Sequence, residues 1–495
     1  MKLEFMKSGM DYLRPVYRES RLVEDTAESI VPDSCPDAVE VLHTSGVCFL
    51  RGKELSDGLL SLSAGVSASA VLGVEGRNAP EVVEVYIPMS LKLEDSSLSG
   101  GQNCRVSVEL RRLDGHLVNP RKVMVRAAVR ISVWVYGQEH QEHLTGCLDS
   151  EVQILKQTAP IRCLQAMGEK NYTVEDRVSL VSDGEIAVVA GCQVRLRHTD
   201  TKLTGTRGVF RGMAELRVLY LDEAGKVNSA ETQLPFSQYI DLGDCQETDE
   251  LCLISQLTGA DVAPGPEGAL NVTLQLLTVA EVWGKTEIGY IGDMYAIRGN
   301  TEPEWQECCY ESLLDRQHFA PVAHGTAEGT LGKCLFSSLI PGDISSRRNG
   351  ESVTITLPVT VYLLYEEDTG TLKGVSCRVE LEATTQAAEN CRFECVGEEM
   401  EVTAAQDGAV NVKVSGDLTV TSYGTTVVKE IVGAELAEEE AKSGGPGLII
   451  RRPRPGETLW LLAKDYRTTQ EAIAQANGLD GDVLEEKMLL IPSAR

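Results

Sequence analysis

A mainly β chain is predicted, with tandem antiparallel β-sandwich or barrel-like domains followed by a small α+β module of order strand, helix, helix, strand. Three observations carry this reading. Val123, Val125, Ala127, Val129, Ile131, Val133 and Val135 share one parity against Arg126, Arg130 and Ser132, and Val353 to Leu363 repeats the pattern against Thr354, Thr356 and Thr360. A period of two marks a half-buried strand. An eighteen-residue stretch with an aromatic-Gly ending occurs at 120–137, 267–284 and 407–424, and its glycines, Gly137, Gly284 and Gly424, lie 147 and 140 residues apart. That spacing is domain-sized, far above the 20 to 50 residues of a solenoid repeat. Over the last fifty residues the apolar period then changes from two to about 3.6.

The units follow in order as 1–145, 146–300 and 301–441. The first carries Asp11-Tyr12-Leu13-Arg14-Pro15, Val31-Pro32-Asp33, Cys35-Pro36-Asp37 and Asn119-Pro120-Arg121-Lys122. Acidic turns ending in Gly225 and Gly370 stand 59 and 54 residues before their aromatic-Gly glycines, and Gly76 stands 61 before Gly137. Each turn predicts a hairpin at a common place in its unit. Short helices are expected at 308–317 and 434–441. Lys-Ser-Gly-Gly-Pro-Gly at 442–447 reads as a flexible linker.

In the tail, 448–495, an apolar strand over 448–451 leads to the Pro455-Gly456 turn. Leu459, Leu462, Ala463 and Tyr466 recur at i, i+3, i+4 and i+7, giving one apolar helical face that Glu457 or Thr458 can cap. Thr468 and Glu471 have capping-box spacing for a second helix, which Asn477-Gly478 ends. A second strand is expected over 488–491. This order and the words Arg-Pro-Gly-Glu-Thr-Leu-Trp, Ala-Lys-Asp-Tyr, Gln-Ala-Asn-Gly-Leu and Leu-Leu-Ile-Pro closely resemble the LysM family. The resemblance implies a shallow groove for N-acetylglucosamine polymers, formed by Gly456, Glu457, Thr458 and Leu459 facing Asn477, Gly478, Leu479 and Asp480. Many family members have Pro-Gly ahead of the last strand. Here stands Glu485-Glu486, a charged pair that favours a protein as the docking partner.

The net charge is -28, while the tail balances seven basic against seven acidic residues, so the excess lies in the body. Such a body repels nucleic acid and anionic lipid. No apolar run reaches the roughly 18 to 20 residues of a membrane span. The first twenty residues, with seven charges, contain no apolar leader segment, so no secretory signal is expected. Fourteen cysteines in 495 residues show no disulfide framework, and free thiols in a reducing cytoplasm are expected.

The repeated units, the N-terminal words and the terminal module together resemble the SPOCS-type spore-coat proteins of endospore-forming bacteria. That resemblance implies a non-enzymatic structural adaptor of coat and envelope assembly in the mother-cell cytoplasm, at the forespore surface. Its implied partners are the spore-coat morphogenetic ATPase or other coat proteins. The alternative is a peptidoglycan- or cortex-binding factor acting through the tail on N-acetylglucosamine-containing glycan. Exposed edge strands would also suit self-association.

The sequence offers no catalytic residue, metal site or cofactor motif. None of the seven histidines falls in a His-Glu-x-x-His word, and His140 and His143 lie in a polar stretch that reads as a solvated linker. Gly329 to Cys334 only partly imitates a phosphate loop: Ala327 replaces the first glycine and Cys334 lacks the magnesium-binding hydroxyl. Cys391 and Cys395 are four apart with no matching pair. Arg121 and Lys122 are either an anion site or a solvated strand flank.

Overall fold

The computed structural model describes residues 2–179, 185–328, 332–367, 369–386, 390–404, 409–437, 448–454, 456–479 and 487–492. Strand makes up 79% and helix 4%, so the chain is mainly β. The first block contains β1 (Phe5–Ile30), β2 (Ala38–Ser56), β3 (Leu59–Val74), β4 (Glu81–Glu94), β5 (Asn103–Asn119) and β6 (Lys122–Cys147). They form two antiparallel sheets, β1-β6-β5 and β2-β3-β4. Both sheets contribute to one core that includes Leu60, Ile87, Val125 and Ile131, so the apolar parity of 123–135 is the buried one.

The second block repeats this order. It has β7 (Val152–Ser179), β8 (Ile186–Thr204), β9 (Arg207–Asp222), β10 (Val227–Asp241), β11 (Glu250–Pro264) and β12 (Ala269–Ala296), paired as β7-β12-β11 and β8-β9-β10. The third contains β13 (Asn300–Phe319), β14 (Val322–Glu328), β15 (Gly332–Pro341), β16 (Ser345–Asn349), β17 (Ser352–Glu367), β18 (Leu372–Gln386), β19 (Asn390–Ala404) and β20 (Ala409–Ala437). Here β20 pairs with β13 and β14 on one side and β19 on the other, while β17 pairs with β15 and β16 on one side and β18 on the other. It is the same topology with two edge strands split. One break falls at Pro321; the other faces Pro358 of β17, where Gly342 donates its N–H to the Pro358 carbonyl at 2.7 Å. Proline has no N–H to continue a ladder. The acidic turns close the β9–β10 and β17–β18 hairpins, with Gly225 and Gly370 at φ 75° and 79°.

The aromatic-Gly ending has a structural cause. In each block the first long strand carries one unpaired residue, Val16, Gln165 or Leu314, where the ladder with β6, β12 or β20 shifts register. These bulged residues lie over Gly137, Gly284 and Gly424, where a Cβ would press on them. The aromatics beside these glycines, Tyr136, Trp283 and Tyr423, meet in one buried cluster with Leu13, Leu164 and Leu313. Equivalent positions of three blocks thus converge on a common line. Further along it, Leu144, Ile291 and Ile431 share another cluster. Leu42 and Val71 of the first block, Leu219 of the second and Phe336 and Leu364 of the third share a third cluster. Contact between the first and third blocks is close enough that a Cβ on Gly374 of β18 would overlap the Leu42 carbonyl.

Buried charge lies on the same line. Glu281 of β12, wholly buried, accepts from Arg105 of β5 at 3.0 Å and from Arg392 of β19 at 3.4 Å. Glu394 adds a second carboxylate 3.2 Å from Arg392, and the Arg105 guanidinium lies 3.6 Å from the centre of the Trp134 ring. Side chains also cap neighbouring sheet edges. Gln256 takes the Val108 N–H and gives to the Val106 carbonyl, Gln193 gives to the Leu339 carbonyl, and Arg111 gives to the Gly342 carbonyl.

Two expectations are corrected. Residues 308–317 lie within β13, and 434–437 end β20; 438–441 fall outside the described residues. Tyr310, Leu313, Leu314 and Gln317 have helical spacing because the bulge at Leu314 breaks strand parity. The stretch holding His140 and His143 is part of β6. His140 is exposed beside Asp11. His143 is buried, with Nδ1 2.7 Å from the Glu430 carboxylate and Nε2 3.0 Å from the Tyr310 hydroxyl.

Candidate functional site

The C-terminal module consists of β21 (Leu448–Arg451), α1 (Leu459–Asp465), α2 (Gln470–Asn477) and β22 (Leu489–Pro492), with β21 antiparallel to β22. The Thr458 hydroxyl caps α1 by accepting the Leu461 N–H at 3.3 Å. Thr469, one residue beyond the expected Thr468, caps α2 by accepting the Ala472 N–H at 3.0 Å. Gly478 ends α2 at φ 64°, a left-handed conformation that glycine adopts without steric cost. Leu459, Leu462, Ala463, Ile473, Leu489 and Ile491 fill the module's own core.

The expected groove residues divide by role. Gly456, Thr458 and Gly478 are exposed, while Glu457, Asn477 and Leu479 are half-buried and Leu459 is core. The Glu457 carboxylate takes Arg451 at 2.6 Å and the Arg454 N–H at 2.8 Å. Asn477 ties α2 to β22: it donates to the carbonyls of Ile473 and Leu490 and accepts the Leu490 N–H, all at 2.7 Å. Asp480, Glu485, Glu486 and the linker 442–447 lie outside the described residues. The described rim therefore exposes Gly456, Thr458 and Gly478, and its one carboxylate is committed to an arginine.

The face beside this rim is docked on the β-body. Trp460 packs edge-on to Tyr295 of β12, with ring centroids 4.9 Å apart, and its indole N–H donates to Asp293 at 2.8 Å. Lys464 reaches both oxygens of the same carboxylate at 2.7 Å. The Tyr295 hydroxyl donates to the Thr468 carbonyl at 2.7 Å, and Arg467 donates to Asn300 at 2.6 Å. Burial, then Glu471 and Asp293, push the Tyr295 phenol up, so it keeps its proton to donate. Sequence reasoning missed this contact, although Trp460, Lys464 and Arg467 form a second stripe at i, i+4 and i+7 beside the core-facing one.

Asp293→Ala is expected to loosen the module without unfolding it, because it removes three charge-assisted hydrogen bonds at a part-exposed seam. A loss of about 2 kcal/mol corresponds to roughly thirty-fold faster hydrogen exchange in α1 where exchange follows opening of the seam. Mass-spectrometric exchange on the full chain would measure it.

Elsewhere the candidates take structural roles. Arg121 donates to the carbonyls of Cys35 at 2.6 Å and Pro32 at 2.8 Å, so it holds the 32–37 loop in place and joins the words that suggested the family. Lys122 pairs with Glu28. Residues 329–331 of the phosphate-loop imitation lie outside the described residues, and Lys333 is exposed in β15. Cys391 and Cys395 belong to β19. Burial pushes Cys104 and Cys163 up to about 11 and Cys48 and Cys308 to about 12, which disfavours the nucleophilic thiolate. Among the described residues no group of three or more metal-ligating side chains is assembled, and no helix is long and apolar enough to cross a membrane.

Two domain families match parts of the chain, and together they support a sporulation-related, cell-wall-binding protein. Residues 454–491 match the LysM domain family, and residues 185–263 match the SipL, SPOCS domain family. The second match runs over β8 to β11, whereas the words that suggested this family lie in the first block. The LysM match suggests glycan binding, and the SPOCS match suggests a spore-coat association. No curated protein and no solved structure matches the chain.

Proposed function

We propose that the chain is a non-enzymatic structural adaptor of endospore coat and envelope assembly, docking coat morphogenetic proteins at the forespore surface from the mother-cell cytoplasm. Its working division is three β-rich units, 1–145, 146–300 and 301–441, a linker at 442–447 and a docking module at 448–495. The observation that carries the reading is the seam at Asp293, which fixes the LysM rim to the end of β12. A ligand held at that rim is joined to the β-body through a defined contact, as an adaptor requires. The β-units supply further surfaces, so several weak contacts can act together.

A second reading is favoured by the exposed rim residues Gly456, Thr458 and Gly478: direct binding of N-acetylglucosamine-containing glycan, as the LysM match suggests. The full chain, mixed separately with insoluble peptidoglycan and with a purified coat morphogenetic ATPase, distinguishes the two. The adaptor reading expects saturable capture of the ATPase, weakened by Asp293→Ala, with little chain sedimenting with the glycan. Sedimentation with peptidoglycan and no capture of the ATPase would favour the glycan reading instead.

A further inference from the structure

Beyond Gly137, Gly284 and Gly424 the strand pairs β1–β6, β7–β12 and β13–β20 run on as three two-stranded ribbons, in which the pairs Lys7–Leu144, Lys156–Ile291 and Trp305–Ile431 hold equivalent places. Leu144, Ile291 and Ile431 share one buried cluster. Lys7 and Lys156 are exposed, as a charged side chain requires; Trp305 is exposed too, at 44%. Four residues on, the pairs Asp11–His140 and Pro160–Glu287 correspond to Cys309–Val427, and Val427 is 55% exposed. At both places the third ribbon alone exposes apolar surface where the other two carry a charged or titratable side chain. Lys429 lies 5.3 Å from the centre of the Trp305 ring, opposite Glu307. Acid prevails around it: Glu302, Glu304 and Glu307 are exposed on β13, in a block, 301–441, that has nine basic against twenty-five acidic residues.

The second block carries the opposite charge on an outer sheet face. One row across β8, β9 and β10 is Lys202, Val209 and Tyr239, the last two 36% and 42% exposed. Its parity is the outward one, because the alternate residues Phe210 and Ile240 lie in the core. The Arg207 guanidinium lies 4.6 Å from the centre of the Tyr239 ring and the Lys170 ammonium 5.3 Å from it. Arg207 is paired with Asp241, while Lys170, Lys202 and Arg211 outnumber Asp200, which faces Arg211. A basic, aromatic face thus stands on a chain whose net charge is -28.

Each patch combines exposed apolar residues with one sign of charge, and the signs are opposite. At physiological ionic strength exposed charges act over about 8 Å, so the patches rather than the net charge decide a contact, and one contact between two copies covers both. An anionic lipid surface would engage only the basic patch and leave the ribbon face unexplained. We infer that the chain associates head to tail, the Trp305–Val427 ribbon face of one copy seating on the Tyr239–Val209 sheet face of the next. The patches lie on different blocks, so the contact is heterologous: an added copy always brings one free face of each kind, and growth continues until a ring closes.

Sedimentation velocity of the full chain at rising concentration, in about 50 mM and about 500 mM salt, tests this. Growth beyond a dimer is expected at low salt and should recede at high salt. Trp305→Lys, which gives the third ribbon the residue of the other two, should weaken association about tenfold or more. The double variant Lys202→Glu, Arg211→Glu should do the same. All three positions are exposed, and unchanged thermal midpoints check that both variants are folded. Mixed one to one, the variants offer one intact patch each and should form a heterodimer and nothing larger. A wild-type chain that stays monomeric, a mixture that stays monomeric, or association untouched by the substitutions overturns the inference. So does co-sedimentation of a monomeric chain with phosphatidylglycerol vesicles that the double variant loses and Trp305→Lys keeps, which would give the second-block face to a lipid surface instead.

Discussion

Replacing Glu281 with alanine is expected to destabilise the protein by about 3–5 kcal/mol, because it strips the shared acceptor from two buried guanidiniums. Arg105 comes from the first block, Glu281 from the second and Arg392 from the third, so one carboxylate joins all of them. Burial opposes its charge, yet the Arg105 and Arg392 charges overcome that and hold its pKa below the usual carboxylate value. Glu394 alone would then face two arginines. Denaturant unfolding of the variant should show the loss, and replacing all three by apolar residues of similar volume should recover much of it. A change under about 1 kcal/mol would mean that water reaches the network. With a folded pKa below the unfolded one, the contribution is present above about pH 4.3 and fades as pH falls below it.

Trp283→Ala should cost about 3–5 kcal/mol by opening a cavity where the three blocks meet. Trp283 is 1% exposed and packs against Tyr423 with ring centroids 5.4 Å apart, beside Tyr136, Leu13 and Leu313. The comparison is Trp305→Ala on the outer face of β13, 44% exposed, where a change within about 0.5 kcal/mol is expected. Thermal unfolding of both variants separates a central anchor from surface apolar area. Equal effects would show that the convergence of aromatics adds nothing to stability.

Much of the fold was legible because it is written in short-range pattern. Parity marks the buried face of β6 and β17, glycine after an acidic turn marks the β9–β10 and β17–β18 hairpins, and threonine and glycine caps mark α1 and α2. The reading failed where a local irregularity disturbed the period. The bulge at Leu314 gave β13 helical spacing, and the alanines and glutamates near 434 favour helix until pairing with β13 overrides them. Of the rim residues, Thr458, Leu459 and Asn477 also hold the module together, which a motif match cannot separate from ligand contact.

By itself, then, the sequence determined a mainly β chain with a repeated unit and a terminal LysM module, because alternation, turn chemistry and capping act over a few residues. Tertiary structure alone decided how the repeats use their aromatic-Gly endings, where Arg105, Glu281 and Arg392 meet, and that Trp460 and Lys464 belong to a seam with Asp293. Those partners stand 111 to 176 residues apart. Buried charge is tolerable only once its counter-charge is in place, and no local pattern says from which block that counter-charge will come.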